Sequence, residues 1–170
     1  MELHDLAIAG NRRENAERTA AFILEKPKER LEELFELFKT GNKLLQQRGS
    51  YPLYIIANIK PKVFTPFHAE VLHFTKHHLH QAVERNMLVI LLSQDGFKED
   101  ILGELIDFCF ELLNNPSKKV ASRALAAKIL HKQVKHYPEL IPELKQVLEF
   151  HFEESSSGLK ACARNILKQL

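Results

Sequence analysis

The chain has 170 residues, of which 45% are apolar and 27% charged, and its formal net charge is +2. That much hydrophobicity excludes a disordered chain, and that much interspersed charge excludes a membrane protein. A surplus of two charges is too small to single out nucleic acid as a partner.

Six Gly and seven Pro among abundant Leu, Ala, Glu and Lys favour helix throughout. The start, Met1-Glu2-Leu3-His4-Asp5, lacks the basic and apolar stretches of a secretory signal, and no apolar run reaches membrane-spanning length. The expectation is one cytoplasmic, all-α domain over residues 1–170.

From Asn11 to Glu25, Ala16, Ala20, Ile23 and Leu24 recur at helical spacing, and Pro27 closes the segment. Leu31, Leu34, Phe35 and Phe38 form a narrow apolar stripe among Glu29, Glu32, Glu33 and Glu36, ended by Thr40-Gly41-Asn42. Gly49-Ser50 and Pro52 interrupt the next stretch. They predict a short helical turn followed by a buried helix over Leu53 to Ile59. Pro61 and Pro66 mark a loop. Phe67, Val71 and Phe74 then open a helix running to about His80, and a further apolar helix covers Ala82 to Leu92.

After the Asp95-Gly96 turn, Ile101, Leu105, Phe108 and Leu112 interleave with Leu102, Ile106, Cys109 and Leu113 to give the clearest helix in the chain. Asn114-Asn115-Pro116-Ser117 links it to a helix from Val120 to about His136, in which Ala121, Ala124, Ala126 and Ala127 allow close helix approach. Pro138 to Glu154 and Gly158 to Leu170 repeat the pair across Ser155-Ser156-Ser157. Cys109 and Cys162 both sit in apolar runs and read as small core residues, without a disulfide.

The second helices share a register. Arg123-Ala124-Leu125-Ala126-Ala127-Lys128-Ile129-Leu130 aligns without gaps to the eight residues from Arg85 and to the eight from Lys160, and Arg48 opens a weaker fourth copy with Tyr54 and Ile55. The basic position thus recurs at 48, 85, 123 and 160, a period near 37 that suits a helical hairpin. Val120-Ala121-Ser122-Arg123-Ala124-Leu125-Ala126-Ala127 resembles the second helix of HEAT-like (armadillo-type) repeats. The likeness is good over 95–170 and faint before 60. It implies an α-α superhelix of about four helical hairpins that serves protein-protein interaction. The ending Ser157-Gly158-Leu159-Lys160-Ala161-Cys162-Ala163-Arg164 is also similar to short helical proteins of Bacteroidetes bacteria, some labelled adenylosuccinate lyase. That enzyme's signature resembles Gly-Ser-Ser-x-Met-Pro-x-Lys-x-Asn, whereas Ser155-Ser156-Ser157-Gly158 is followed here by Leu-Lys-Ala-Cys. The activity is not carried over.

Charge is partitioned between the helices. Residues 95–111 hold six acids against Lys98, and residues 112–138 hold six bases and no acid. Residues 139–154 carry five acids against Lys145, and residues 155–170 carry Lys160, Arg164 and Lys168 with no acid. The bland reading, preferred here, is weak surface ion pairing between neighbouring helices. The functional reading is a basic binding face made by Arg85, Arg123, Lys128, Lys160 and Arg164. Its expected occupant is another protein, with nucleic-acid backbone binding as the alternative.

Glu70, His73, His77 and His80 have a spacing permissive for a metal, but no further ligand is placed by sequence, so no metal or cofactor is assigned. His68 and His78 fall nearer the apolar arc and read as packing residues. Phosphate loops, nucleophile elbows and His-Glu-x-x-His are missing from the sequence, so nothing positive points to catalysis.

Overall fold

The computed structural model describes residues 2–170, and every regular element among them is helical. Ten α-helices follow in order: α1 (Leu3–Ile8), α2 (Arg13–Glu25), α3 (Pro27–Lys39), α4 (Lys43–Ile59), α5 (His68–Lys76), α6 (Gln81–Ser93), α7 (Glu99–Asn114), α8 (Val120–Gln133), α9 (Ile141–Phe150) and α10 (Ser157–Leu167). The chain divides into two compact units, the first ending at Phe97 and the second covering Lys98–Leu170.

Local chemistry fixes the helix ends. Pro27 opens α3, where a missing N–H costs nothing, and Gly41 at φ +76° supplies the left-handed turn that follows it. The Asn42 side chain accepts from the Leu45 amide at 3.1 Å, the His80 ring from Ala82 at 3.1 Å, and the Ser156 hydroxyl from Leu159 at 3.5 Å, capping α4, α6 and α10.

In the first unit the second helices lie in sequence. α4 packs against α2 on one side and α6 on the other, while α1 rests on α2, α3 and α4, and α5 rests on α6. Phe35, Phe38, Phe67 and Phe74 form the aromatic centre, Phe38 standing edge-on to Phe74 at 5.4 Å. In the second unit α7 and α8 form an antiparallel hairpin, α10 packs on α8, and α9 touches all three. Its core comprises Leu105, Cys109 and Leu112 with Ala126, Leu130, Leu144, Leu148 and Ile166.

Several expectations change. α4 is one continuous helix through Gly49 and Pro52, not a turn followed by a helix. Gly49 is a packing residue: a Cβ there would stand 2.7 Å from Phe38 Cε1, so its bareness lets α3 approach. Pro52 is buried inside the helix, where neighbouring elements hold the backbone despite the lost N–H. Residues Pro61–Phe67 form a 3-10 helix where a loop was expected, and α5 stops at Lys76, leaving His77 to His80 outside it. α8 likewise ends at Gln133. The six-residue α1, buried through Leu3, Leu6 and Ala7, was not anticipated.

Buried and half-buried polar side chains close the last turns of the first helices, whose final carbonyls have no partner within the helix. Gln46 donates to the Phe38 carbonyl at 3.0 Å and accepts from the Leu79 amide at 3.0 Å, tying α4 to the end of α3 and to the segment before α6. His78 donates through Nδ1 to the Thr75 carbonyl at 2.9 Å, and its Nε2 lies 3.8 Å from the buried carboxylate of Glu84. Arg123 Nε donates to the Leu113 carbonyl at 3.0 Å.

The Phe38 ring is held by Phe35 and Phe74 and cannot swing away from a methyl at position 49. Gly49→Ala should therefore destabilise the protein by about 1–2 kcal/mol in urea unfolding, overpacking outweighing the better helix propensity of Ala. An unchanged or increased stability would show that α3 and α4 can separate freely.

Candidate interaction surface on the second helices

The recurring basic position falls in the first two turns of α4, α6, α8 and α10, and its four side chains have four different settings. Arg48 is half-buried and donates to the carbonyl of Ile8, the last residue of α1. Arg123 is 5% exposed, bonded to Leu113, and its Nη2 is enclosed without a hydrogen-bond partner, so burial lowers the guanidinium pKa. Lys160 Nζ sits 5.7 Å from the Phe152 ring centre and 4.0 Å from a Glu153 oxygen. Arg85 alone of the four is exposed.

Arg85 opens onto a concavity of about 300 Å³ in the first unit, lined by Asn11, Gln47, Tyr51, Tyr54, Arg85 and Asn86 with Ala82 beside them. Gln47, Tyr51 and Tyr54 are spaced i, i+4, i+7 on α4, and Ala82, Arg85 and Asn86 are i, i+3, i+4 on α6. Two stripes thus face each other across the groove between packed helices. The Tyr51 and Tyr54 ring centres are 6.1 Å apart, their planes tilted by 35°. Asn86 is buried and donates to Ser50 Oγ at 3.0 Å, which fixes its amide in the wall. No carboxylate lines the concavity. Arg13 stands near both tyrosines, but its Nε is bonded to Glu17 at 2.7 Å, and that bond is the main reason its pKa is raised.

The sequence reading singled out Arg85, used Tyr54 only to align the weaker fourth repeat copy, and did not consider Tyr51. A signal was present, because the chain has only three Tyr and two of them lie three residues apart. Moreover, the third and sixth residues after the basic position are buried aliphatics in α6 (Leu88, Leu91), α8 (Ala126, Ile129) and α10 (Ala163, Ile166). In α4 these positions are Tyr51 and Tyr54, both half-exposed.

A family model described as HEAT repeat domain matches residues 8–170. The chain belongs to the HEAT repeat domain family. No curated protein and no solved structure matches it significantly.

The remaining basic residues of the HEAT second helices do not gather on one patch in the second unit. Arg164 Cζ lies 5.8 Å from the Phe152 ring centre on the same side of α10 as Lys160, and with Lys168 it borders a cleft that also contains Glu149, Glu153 and Leu167. Phe150, next to it, is 78% exposed. Lys128 is exposed on α8 and close enough to Cys162 for its charge to act on the thiol, whose Sγ lies 3.8 Å from the Ala124 carbonyl. The charge partition also leaves an acidic counterpart between the first helices α7 and α9, where Asp107, Glu111 and Glu143 line a cleft with Ile106, Phe110 and Val147.

Of the candidate metal residues, His73 and His77 have ring centres 4.9 Å apart with planes tilted by 45°, while His80 is taken up in capping α6. Among the described residues no group of three or more His, Cys, Asp or Glu is placed to hold an ion. His68 is buried, bonded to Gln94 at 2.9 Å, and His78 is half-buried. Both cysteines are free: Cys109 lies deep in the core, and Cys162 is half-buried, not fully enclosed as expected.

Burial pushes the Cys162 thiol up, and the Lys128 ammonium partly offsets that shift. At pH 8 a raised pKa means less thiolate than in an ordinary cysteine, so iodoacetamide should alkylate Cys162 slowly and faster as pH rises. Lys128→Gln should slow it further, by roughly two- to threefold at pH 8, since one pKa unit is worth about tenfold. An unchanged rate would contradict the Lys128–Cys162 approach.

Proposed function

We propose that residues 1–170 act as one non-catalytic helical-repeat module that binds another protein, with the second helices of the first unit as its contact surface. The observation that carries this reading is the concavity between α4 and α6, where Tyr51 and Tyr54 take register positions held by buried aliphatics in α6, α8 and α10 and face the exposed Arg85. Tyr and Arg are the side chains that contact surfaces favour, because they combine apolar area with directed hydrogen bonds. HEAT repeats commonly supply such surfaces, and nothing in the side-chain constellations supports bond-making chemistry.

The alternative, gripping a nucleic-acid backbone along basic second helices, has weaker support. Arg123 is engaged inside the hairpin, and Lys160 and Arg164 lie by the Phe152 ring, with Glu149 and Glu153 lining the cleft that Arg164 borders. A phosphate backbone needs cations along a continuous track.

The test is affinity capture from extract of the native organism with the full chain and with Arg85→Glu, followed by a gel shift at low salt on both. The expected result is a reproducible protein whose recovery falls at least tenfold with Arg85→Glu, and no shift of DNA or RNA. Equal recovery by both chains would overturn the assigned surface. Salt-sensitive nucleic-acid binding without a protein partner would overturn the module reading.

A further inference from the structure

We infer that the concavity between α4 and α6 is a receptor for a single carboxylate side chain, presented by an acidic peptide segment of the partner. The inference rests on the interaction-module reading and names the chemistry of its ligand.

The lining settles the sign of the charge it welcomes. Arg85 brings a full positive charge, and Tyr51 and Tyr54 bring phenol hydroxyls. Gln47 and Asn11 add amide donors, and no Asp or Glu is among the lining residues to compete. A cation would meet Arg85 head-on. An apolar group would strand the amides and hydroxyls without partners.

The lining also discriminates among anions. One guanidinium inside the concavity matches one carboxylate, whose two oxygens accept the paired N–H groups of an Arg fork. A phosphate dianion calls for a second cation, whereas Arg85 is the one Lys or Arg in the lining, and Arg13, which stands near both tyrosines, has its Nε on Glu17 at 2.7 Å. The volume, about 300 Å³, is at the lower end for small-molecule sites and suits a side chain with its adjoining peptide group. The two tyrosine rings, tilted by 35°, offer apolar flanks for the methylenes leading to the carboxylate.

Rigidity favours recognition here. Asn86 is fixed by its bond to Ser50, and Tyr51 and Tyr54 stand on a 17-residue helix packed between α2 and α6. The donors are therefore arranged before the ligand arrives, which lowers the ordering cost of binding.

The experiment is a titration of the 15N-labelled full chain followed by amide chemical shifts. The probes are an acetyl-Gly-Glu-Gly-Glu-Gly-amide peptide, its Gln counterpart, sodium acetate and inorganic phosphate. Tyrosine emission is a second readout, since the chain has no Trp and two of its three Tyr line the concavity. Saturable shifts confined to Asn11 and residues 47–54 and 82–86 with the Glu peptide, at least tenfold weaker with the Gln peptide, are expected. Arg85→Gln should weaken the Glu peptide at least tenfold while its far-UV circular dichroism is unchanged. Tyr51→Phe with Tyr54→Phe, which keeps the rings, should weaken it several-fold.

No saturable shift, or equal binding of the Gln peptide or by Arg85→Gln, would overturn the site. Phosphate binding more tightly than the peptide would overturn the carboxylate assignment, and acetate binding as tightly would overturn the peptide source. A partner captured in an Arg85-dependent way while the Glu peptide fails to bind would sink this inference and leave the module reading standing.

Discussion

The carbonyl groups that end a helix have no partner within it, and in a stack of short helical hairpins many such ends are buried. Here they are met by side chains that reach across from a neighbouring element: Gln46 to Phe38, His78 to Thr75, Arg123 to Leu113, and Arg48 to Ile8. Each bond contributes on the order of 1 kcal/mol net, yet leaving such a group buried and unmet costs about 1–3 kcal/mol. That asymmetry fixes which hairpin geometry the chain accepts. Apolar burial draws the helices together, and these contacts set their register.

A repeat register built for one purpose supplies places where another purpose can be inserted. Arg48 and Arg123 fold back onto carbonyls, while Arg85 opens outward because the equivalent end, at Thr75, is already closed by His78. The freed arginine then faces Tyr51 and Tyr54, which occupy register positions held by aliphatics in the later copies. The place where α4 departs from the repeat is thus the place where the surface acquires polar chemistry. Agreement between local and global signals marks the scaffold, and local disagreement marks the candidate site.

Most of the helices were legible in the sequence because their apolar residues recur at helical spacing, most clearly in α7, where Leu102, Leu105, Cys109 and Leu112 are buried as that spacing requires. α4 was misread for a physical reason: Gly and Pro weaken a helix intrinsically, but Gly49 is demanded by the Phe38 ring, and packing overrides propensity. α1 was missed because six residues carry too little periodicity to be seen. The buried polar groups were the least legible. Gln46, Glu84, Asn86 and Gln94 count as solvent-facing in any hydropathy pattern, and only their partners across the fold reveal them as interior. For the same reason the basic recurrence showed that a position repeats without showing whether its side chain points inward or outward.

The account depends most on the claim that buried side chains, by closing helix ends, hold the hairpins in register. Gln46 is the cleanest case, a neutral amide 3% exposed that serves both the Phe38 carbonyl and the Leu79 amide. Urea unfolding of the full chain with Gln46→Leu, which keeps the apolar volume and removes both bonds, tests it most directly. The account predicts a loss of about 1–2 kcal/mol, since the Leu79 amide loses its partner while the Phe38 carbonyl keeps the Gly41 N–H. A change within about 0.5 kcal/mol, the range of an ordinary surface substitution, would contradict it.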